Sequence, residues 1–129
     1  MDFIAINFET ANEKRSSACS LGLVVVKNST IVDKRHWYIK PTPNYYHPFN
    51  SSLHGIEEIH THDAPTFDVV YHELFPFIKN RVVVAHNASF DISVFRHALG
   101  CYNRSYEEFD FACSYRLAQF ARSDLPCTN

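Results

Sequence analysis

The order of strand-type and helix-type segments constrains the fold of this chain more than any other feature. Three apolar, strand-like segments come first, and helical segments alternate with short strands afterwards. The turn signal Asn28-Ser29 separates the second and third strands, which predicts a hairpin. A strand, helix and strand in succession require a crossover to a parallel neighbour. We therefore predict an α/β fold, with a mixed sheet and helices against its faces.

Apolar periodicity places the individual elements. Strands are predicted at residues 3–8, 21–27, 30–38, 82–85 and 109–113. Helices are predicted at residues 67–79, from Asn87 or Ser89 to Leu99, and at 115–121, with a loop over residues 40–53. Pro76 is expected to kink or shorten the first of these helices, and Gly100 to stop the second.

Size and composition limit the class of protein. A chain of 129 residues suits one domain, and we take residues 1–129 as that domain. A net charge of −2 argues against a protein that grips nucleic acid through a basic surface. It does not argue against a nuclease, because metal ions can neutralise phosphate in an acidic pocket. With no CxxC pair, leader or long apolar run, we expect a cytoplasmic protein with reduced thiols and no membrane contact.

Acidic side chains are predicted to meet at one edge of the sheet. Asn7 and Glu9 project from the same face of the first strand, near its carboxyl end, and Asp91 lies in the first turn after the strand at 82–85. Ligands in open α/β sheets bind outside the carboxyl ends of strands, and paired acids suit Mg²⁺ or Mn²⁺. Each acid alone also has an ordinary interpretation, since Glu9 suits a solvated strand end and Asp91 suits a helix dipole.

Three segments resemble a known family of nucleases. Residues 4–12 (IAINFETAN) resemble its first block, an apolar strand ending in Asp-Phe-Glu-Thr. Residues 82–91 (VVVAHNASFD) resemble the second block, and residues 53–56 (LHGI) resemble a His-Gly-Ile step between the two. The chain is therefore similar, over nearly its whole length, to the DEDDh (DnaQ-like, proofreading) 3′–5′ exonucleases.

This resemblance implies an RNase H-like fold and hydrolysis of the 3′-terminal phosphodiester with two Mg²⁺ or Mn²⁺ ions. Carried over by position, the catalytic and metal-binding residues are Asn7, Glu9 and Asp91. Residues around the terminal nucleotide are Phe8, Thr10, Ala11, His54, His86, Asn87 and Phe90. The implied partners are the 3′ end of single-stranded nucleic acid, DNA foremost, and a DNA polymerase.

Two departures from the family pattern predict a poor nuclease. Asn7 stands where the family has an Asp that bridges both metals. The family's third block, a His followed by an Asp on one helix, does not follow Ala118. We thus expect a domain incomplete at its C-terminus, with an apolar face that invites homo-oligomers. The rival hypothesis is a non-catalytic module that binds 3′ ends or a polymerase.

Further patterns leave alternatives open. The histidines His54, His60, His62 and His72 suggest a metal site, although solvated surface histidines explain them better. Evenly scattered arginines are candidates for phosphate contacts, but more often keep a surface soluble; they are Arg96, Arg104, Arg116 and Arg122. The Tyr45-Tyr46 pair is either a stacking platform or an anchor for its own loop, and the nearby prolines favour the anchor.

Overall fold

The fold is built on a mixed five-stranded sheet with the strand order β3-β2-β1-β4-β5. The structure is a computed structural model that describes residues 2–85, 87–100 and 110–113. Its strands are β1 (Phe3–Thr10), β2 (Ala18–Lys27), β3 (Thr30–Tyr38), β4 (Val82–Ala85) and β5 (Asp110–Cys113). Its helices are α1 (Pro48–His54), α2 (Glu58–Thr61), α3 (Phe67–Ile78) and α4 (Ala88–Gly100).

The strand pairing confirms the predicted mixed sheet. Strand β1 pairs antiparallel with β2 and parallel with β4, while β2 and β3 form the predicted hairpin. Asn28 and Ser29 both have positive φ, at 52° and 62°, which the tight turn of such a hairpin requires. The parallel pair of β4 and β5 agrees with the predicted crossover.

One face of the sheet carries the main core. Alternation along β1 turns Ile4, Ile6 and Phe8 inward, and each is at most 5% exposed. Their partners on β2 are also buried, and α3 and α4 cover both strands. The Phe8 ring packs edge-on against Phe67 of α3 and Phe95 of α4, with centroids 5.7 and 6.4 Å away. Aromatic packing therefore fixes both helices on β1.

The opposite face of the sheet is more open within the described ranges. Asn7 is exposed there, and Ala5, Gly22 and Val24 are half-buried. A groove of about 410 Å³ lies along this face, with Lys34 and His36 on its edge. The described helices that cover the sheet lie on the core side, and the helix predicted at residues 115–121 falls outside the described residues. Every helix in those ranges is too short or too polar to span a bilayer.

The prediction of a loop over residues 40–53 is wrong in its second half. Helix α1 begins at Pro48, which occupies its first turn, and ends before Gly55, whose φ is 76°. Proline favours the first helical position because its missing amide has no partner there in any helix. The proline that indicated a loop is therefore part of a helix start. Pro76 is likewise tolerated, since α3 continues through it and ends two residues later.

We predict that Phe8→Ala lowers the free energy of unfolding by about 3–5 kcal/mol, because the change leaves a cavity between β1, α3 and α4. Phe49→Ala is the matched control, since Phe49 is 63% exposed and should cost no more than about 0.5 kcal/mol. Urea denaturation measures both. Equal losses for the two variants would contradict this packing.

Candidate active site

The carboxyl end of β1 presents Asn7 and Glu9 on the open face of the sheet. Asn7 is exposed and pairs with Gly22, whereas Glu9 is half-buried and pairs with Ser20. The register shifts between Glu9 and Thr10, so that Thr10 pairs with Ala18. Such bulges bend a strand and redirect its side chains at the edge of a site. The predicted orientation of the two residues on one face agrees with the structure.

Asp91 reaches the same strand end from α4. Strand β4 pairs with β1 only as far as Ile6, opposite Ala85. The next amide on that side belongs to Phe8, and it donates a hydrogen bond of 3.0 Å to Asp91 Oδ1. Asp91 is 2% exposed, so the carboxylate takes the place of a further strand partner inside the protein. This contact brings the carboxylate of Asp91 to the residue between Asn7 and Glu9.

Helix α1 holds the last residues of β1 through two side chains. The Thr10 carbonyl accepts hydrogen bonds from His54 Nε2 at 2.8 Å and from Asn50 Nδ2 at 3.2 Å. His54 Nδ1 accepts the amide of Ile56 at 3.0 Å, so its proton lies on Nε2. Asn50 Nδ2 also contacts the Asn12 carbonyl at 3.1 Å. The His-Gly-Ile segment therefore supports the backbone of the site.

The loop between β1 and β2 is tied down by buried polar groups. Asn12 is 1% exposed, and its Nδ2 donates to the carbonyls of Pro43 and Tyr45 at 3.1 and 2.9 Å. Its Oδ1 accepts the amide of Lys14, and its own amide donates to the Ser17 hydroxyl. Sequence reasoning did not single out Asn12 or Asn50, because no local pattern shows that a loop asparagine is buried or that a helical asparagine bonds distant carbonyls.

A small second core lies beneath this loop. Ala11, Cys19 and Ile56 are buried there, and Tyr46 packs against them. The Tyr46 hydroxyl hydrogen-bonds the Thr61 hydroxyl, and the Tyr45 hydroxyl donates to Glu13. Burial raises the pKa of the Cys19 thiol to about 12 and that of Tyr46 to about 12. Both tyrosines therefore anchor their own loop, as the neighbouring prolines indicated.

Comparison with known proteins identifies the family. An RNase T family model, described as exonuclease, matches residues 4–128, which is nearly the whole chain. The chain belongs to this exonuclease family. Its members are 3′–5′ exonucleases of nucleic acid with an RNase H-like fold, and the family generally uses divalent metals. The predicted fold class and the family resemblance are both confirmed.

Similar sequences occur inside much longer proteins. The chain is 33% identical over 94 residues to DNA polymerase III PolC-type of Caldanaerobacter subterraneus, covering 71% of this chain and 7% of that protein. It is 35% identical over 86 residues to the 3′-5′ exonuclease DinG of Staphylococcus aureus, covering 67% of this chain and 10% of that protein. The chain thus spans a tenth or less of these relatives.

A solved structure shares the fold of this exonuclease domain. Exonuclease X in complex with 5′ overhanging duplex DNA superimposes with a TM-score of 0.74 at 22% identity, covering 98% of this chain and 68% of that one. At this identity the likeness shows the fold alone.

Three of the predicted nucleotide contacts, Phe8, Thr10 and Ala11, have buried side chains. Phe8 is 2% exposed in the core and Ala11 is fully buried in the second core, so neither side chain can line a nucleotide pocket. Phe8 is buried because side chains alternate along a strand, so the Phe8 side chain lies on the opposite face from Asn7 and Glu9. Thr10 is likewise 8% exposed, with its carbonyl bonded to α1. Their backbone groups are also engaged within the protein, since the Phe8 amide bonds Asp91 and the Ala11 amide bonds the Ser17 carbonyl.

The other four predicted nucleotide contacts are His54, His86, Asn87 and Phe90, and each has a different outcome. Both ring nitrogens of His54 are engaged within the protein, so His54 supports the strand end rather than a ligand. Asn87 is exposed beside the start of α4, and its carbonyl accepts the amides of Phe90 and Asp91. Phe90 is half-buried, and the guanidinium carbon of Arg15 lies 5.0 Å from its ring centroid. His86 lies outside the described residues.

The donor groups present do not fit a pair of divalent cations. Asn7 offers a neutral amide, which leaves Glu9 and Asp91 as the carboxylates at this end of the sheet, and Asp91 already bonds the Phe8 amide. The described part of the chain contains no group of three His, Cys, Asp or Glu side chains able to hold a metal. This also applies to the histidine cluster, where His60 Nδ1 accepts the Glu57 amide and His62 pairs with Asp63.

We predict that Asp91 stabilises the fold mainly as a hydrogen-bond acceptor, and not through its negative charge. Asp91→Ala leaves the buried Phe8 amide without its acceptor and should lower the free energy of unfolding by about 1–3 kcal/mol. Asp91→Asn keeps a carbonyl oxygen at that position and should cost less than half as much. Urea denaturation compares the two variants, and equal stability of Asp91→Ala and the unchanged protein would refute the anchor.

Alkaline pH should destabilise the second core. The folded-state pKa values of Cys19 and Tyr46 lie near 12, above their ordinary values of 9.0 and 10.0. Their neutral forms therefore stabilise the fold fully below about pH 9, and this contribution is lost as the pH rises toward 12. Urea midpoints across this range measure the loss. Tyr46→Phe should flatten the curve, and an unchanged slope would contradict this assignment.

Proposed function

We propose that this chain acts at the 3′ end of single-stranded nucleic acid, DNA foremost, as an exonuclease domain whose metal-dependent hydrolysis is strongly impaired. One observation carries the proposal: Asp91 meets β1 beside Glu9, at the strand end where the sequence resemblance places the acids, while Asn7 occupies the remaining position. The chain keeps the scaffold of the site and lacks part of its charge.

Loss of one carboxylate weakens a cation site more than it changes the fold. Asparagine has nearly the shape of aspartate, so the exposed Asn7 is compatible with an unchanged β1. The interaction of opposite unit charges at 4 Å amounts to ~1 kcal/mol in water and ~4 kcal/mol at an effective dielectric of 20. Because Asn7 faces solvent, the smaller figure is the better guide, and the double charge of the cation raises it to ~2 kcal/mol for each metal that the family's Asp would contact.

Binding without cleavage is the form of activity that this charge pattern favours. Glu9 and Asp91 leave two negative charges at the strand end, so a phosphate meets less repulsion there than in a site with every carboxylate present. The metal ion that would neutralise the phosphate binds with lower affinity. A polymerase partner remains a prediction, supported by the match to a segment of a PolC-type polymerase. A cytoplasmic location also remains a prediction from the sequence.

We predict that Asn7→Asp increases the affinity for Mn²⁺ by about tenfold or more, since it restores an anionic ligand next to Glu9 and Asp91. Isothermal titration of the metal alone measures this. Asn80→Asp is the matched control, because Asn80 is exposed at the amino end of β4, at the other end of the sheet, and its φ of 57° suits Asp. It should leave Mn²⁺ affinity unchanged.

A nuclease assay completes the test. Release of nucleotides from 5′-labelled single-stranded DNA in Mn²⁺ should be slow for the unchanged chain and faster for Asn7→Asp. Adding Glu9→Gln should remove the gain in both metal affinity and release. The proposal of impaired hydrolysis is wrong if the unchanged chain already degrades DNA as fast as Asn7→Asp. The placement of the site is wrong if Glu9→Gln leaves the gain intact.

A further inference from the structure

Arg15 is a cation whose charge is not balanced by its described neighbours. It lies in the loop between β1 and β2, is exposed, and forms no ion pair in the described ranges. Its guanidinium carbon is 5.0 Å from the centroid of the Phe90 ring. An exposed contact of this kind contributes only about 0.5–1 kcal/mol. The charge of Arg15 is therefore scarcely used by the fold.

The backbone at Arg15 is fixed although its side chain is exposed. The Lys14 carbonyl, which belongs to the peptide bond before Arg15, accepts the Ser17 amide at 3.0 Å and the Ser17 hydroxyl at 2.6 Å. The Lys14 amide donates to Asn12 Oδ1 at 2.9 Å. Asn12 is itself buried and bonded to a second loop. The backbone at Arg15 is thus already ordered, so little backbone entropy is lost when the side chain binds a ligand.

The position of Arg15 is set relative to the acids by α4. Phe90 directly precedes Asp91, whose carboxylate bonds the Phe8 amide. The contacts from Phe90 to Arg15 and from Asp91 to Phe8 therefore join the first turn of α4 to the end of β1 and to the loop that follows. Beyond Arg15, a groove between Ser16 and α4 is lined by Arg96 and His97. Basic groups thus continue along α4 from Arg15.

A guanidinium that lies over a ring still has its N–H edge available. Arginine binds phosphate through parallel N–H donors of its planar fork, and stacking on an aromatic ring restrains that plane. We propose that Arg15 is a substrate-binding residue, which binds a phosphate of the strand whose 3′ end reaches Glu9 and Asp91, with Phe90 as its positioning residue. This inference rests on the proposed function and assigns Phe90 a role through Arg15 in place of direct base stacking.

Salt-dependent binding tests the proposal. The full chain is titrated, in EDTA to prevent cleavage, into 5′-fluorescein-labelled single-stranded oligothymidylate, and anisotropy is followed from about 50 to about 200 mM salt. Each phosphate contact on a single strand contributes about 0.7 to the slope of log K against log salt. Arg15→Gln should reduce that slope by about 0.7 and lower the affinity at the lowest salt about tenfold.

Arg35→Gln is the matched control. Arg35 also lies over a phenylalanine ring, 5.4 Å from the centroid of Phe77, but it is on the edge strand β3 and pairs with Leu23 in the middle of β2. Its loss removes the same charge and the same type of contact away from the strand end, together with an exposed ion pair to Asp33. The slope for Arg35→Gln should equal that of the unchanged chain. Thermal unfolding checks that both variants remain folded.

Two further variants separate charge from geometry. Arg15→Lys should keep the salt slope but lower the affinity severalfold, since an ammonium lacks the fork. In a Phe90→Leu background, Arg15→Gln should have a smaller effect on affinity, because the ring no longer holds the guanidinium. Equal effects of Arg15→Gln in both backgrounds would overturn the role of Phe90.

The outcomes distinguish this inference from the function on which it rests. If the unchanged chain binds no oligonucleotide, the proposed function fails and the assignment of Arg15 fails with it. If the unchanged chain binds but Arg15→Gln and Arg35→Gln have the same slope and affinity, Arg15 does not contact phosphate and the proposed function stands. A reduced slope for Arg15→Gln alone supports the assignment.

Discussion

The hydrogen bond from the Phe8 amide to Asp91 is the interaction on which the site depends. Parallel pairing between β1 and β4 ends at Ile6 and Ala85, and the next β1 amide would be buried without a partner. Such a group costs about 1–3 kcal/mol when unsatisfied. Asp91 satisfies it from the first turn of α4. The contact that satisfies this amide therefore also places a carboxylate at the strand end. The fold and the site share one hydrogen bond, the bond to Asp91 Oδ1.

The rest of the site is held by neutral polar groups rather than by ion pairs. Asn12, Asn50 and His54 bond backbone carbonyls and amides of the last β1 residues and of the loop beyond them. These bonds do not depend on a metal or a substrate. The scaffold of the exonuclease site is thus preorganised, and the exposed Asn7 can lack the family's charge while the surrounding backbone remains in place.

Charge at this end of the sheet is shifted toward binding a polyanion. Asn7 stands where the family resemblance has an acid, and Arg15 is a cation with no ion pair among the described residues. Strand β1 supplies Asn7 and the loop after it supplies Arg15, and both side chains are exposed outside the core. Under the proposed function, the domain keeps its affinity for nucleic-acid ends while its hydrolytic centre is weakened.

Local sequence alone determined the strands, the hairpin, α3, α4 and the mixed sheet, because apolar periodicity and turn residues act over short distances. It also placed Glu9 and Asp91 at neighbouring strand ends. Tertiary structure decided which residues the interior takes: Phe8 and Ala11 became core, and His54 became a support for Thr10. It also brought Arg15 to Phe90 across 75 residues of chain. Such contacts depend on how distant segments pack, which no local pattern records.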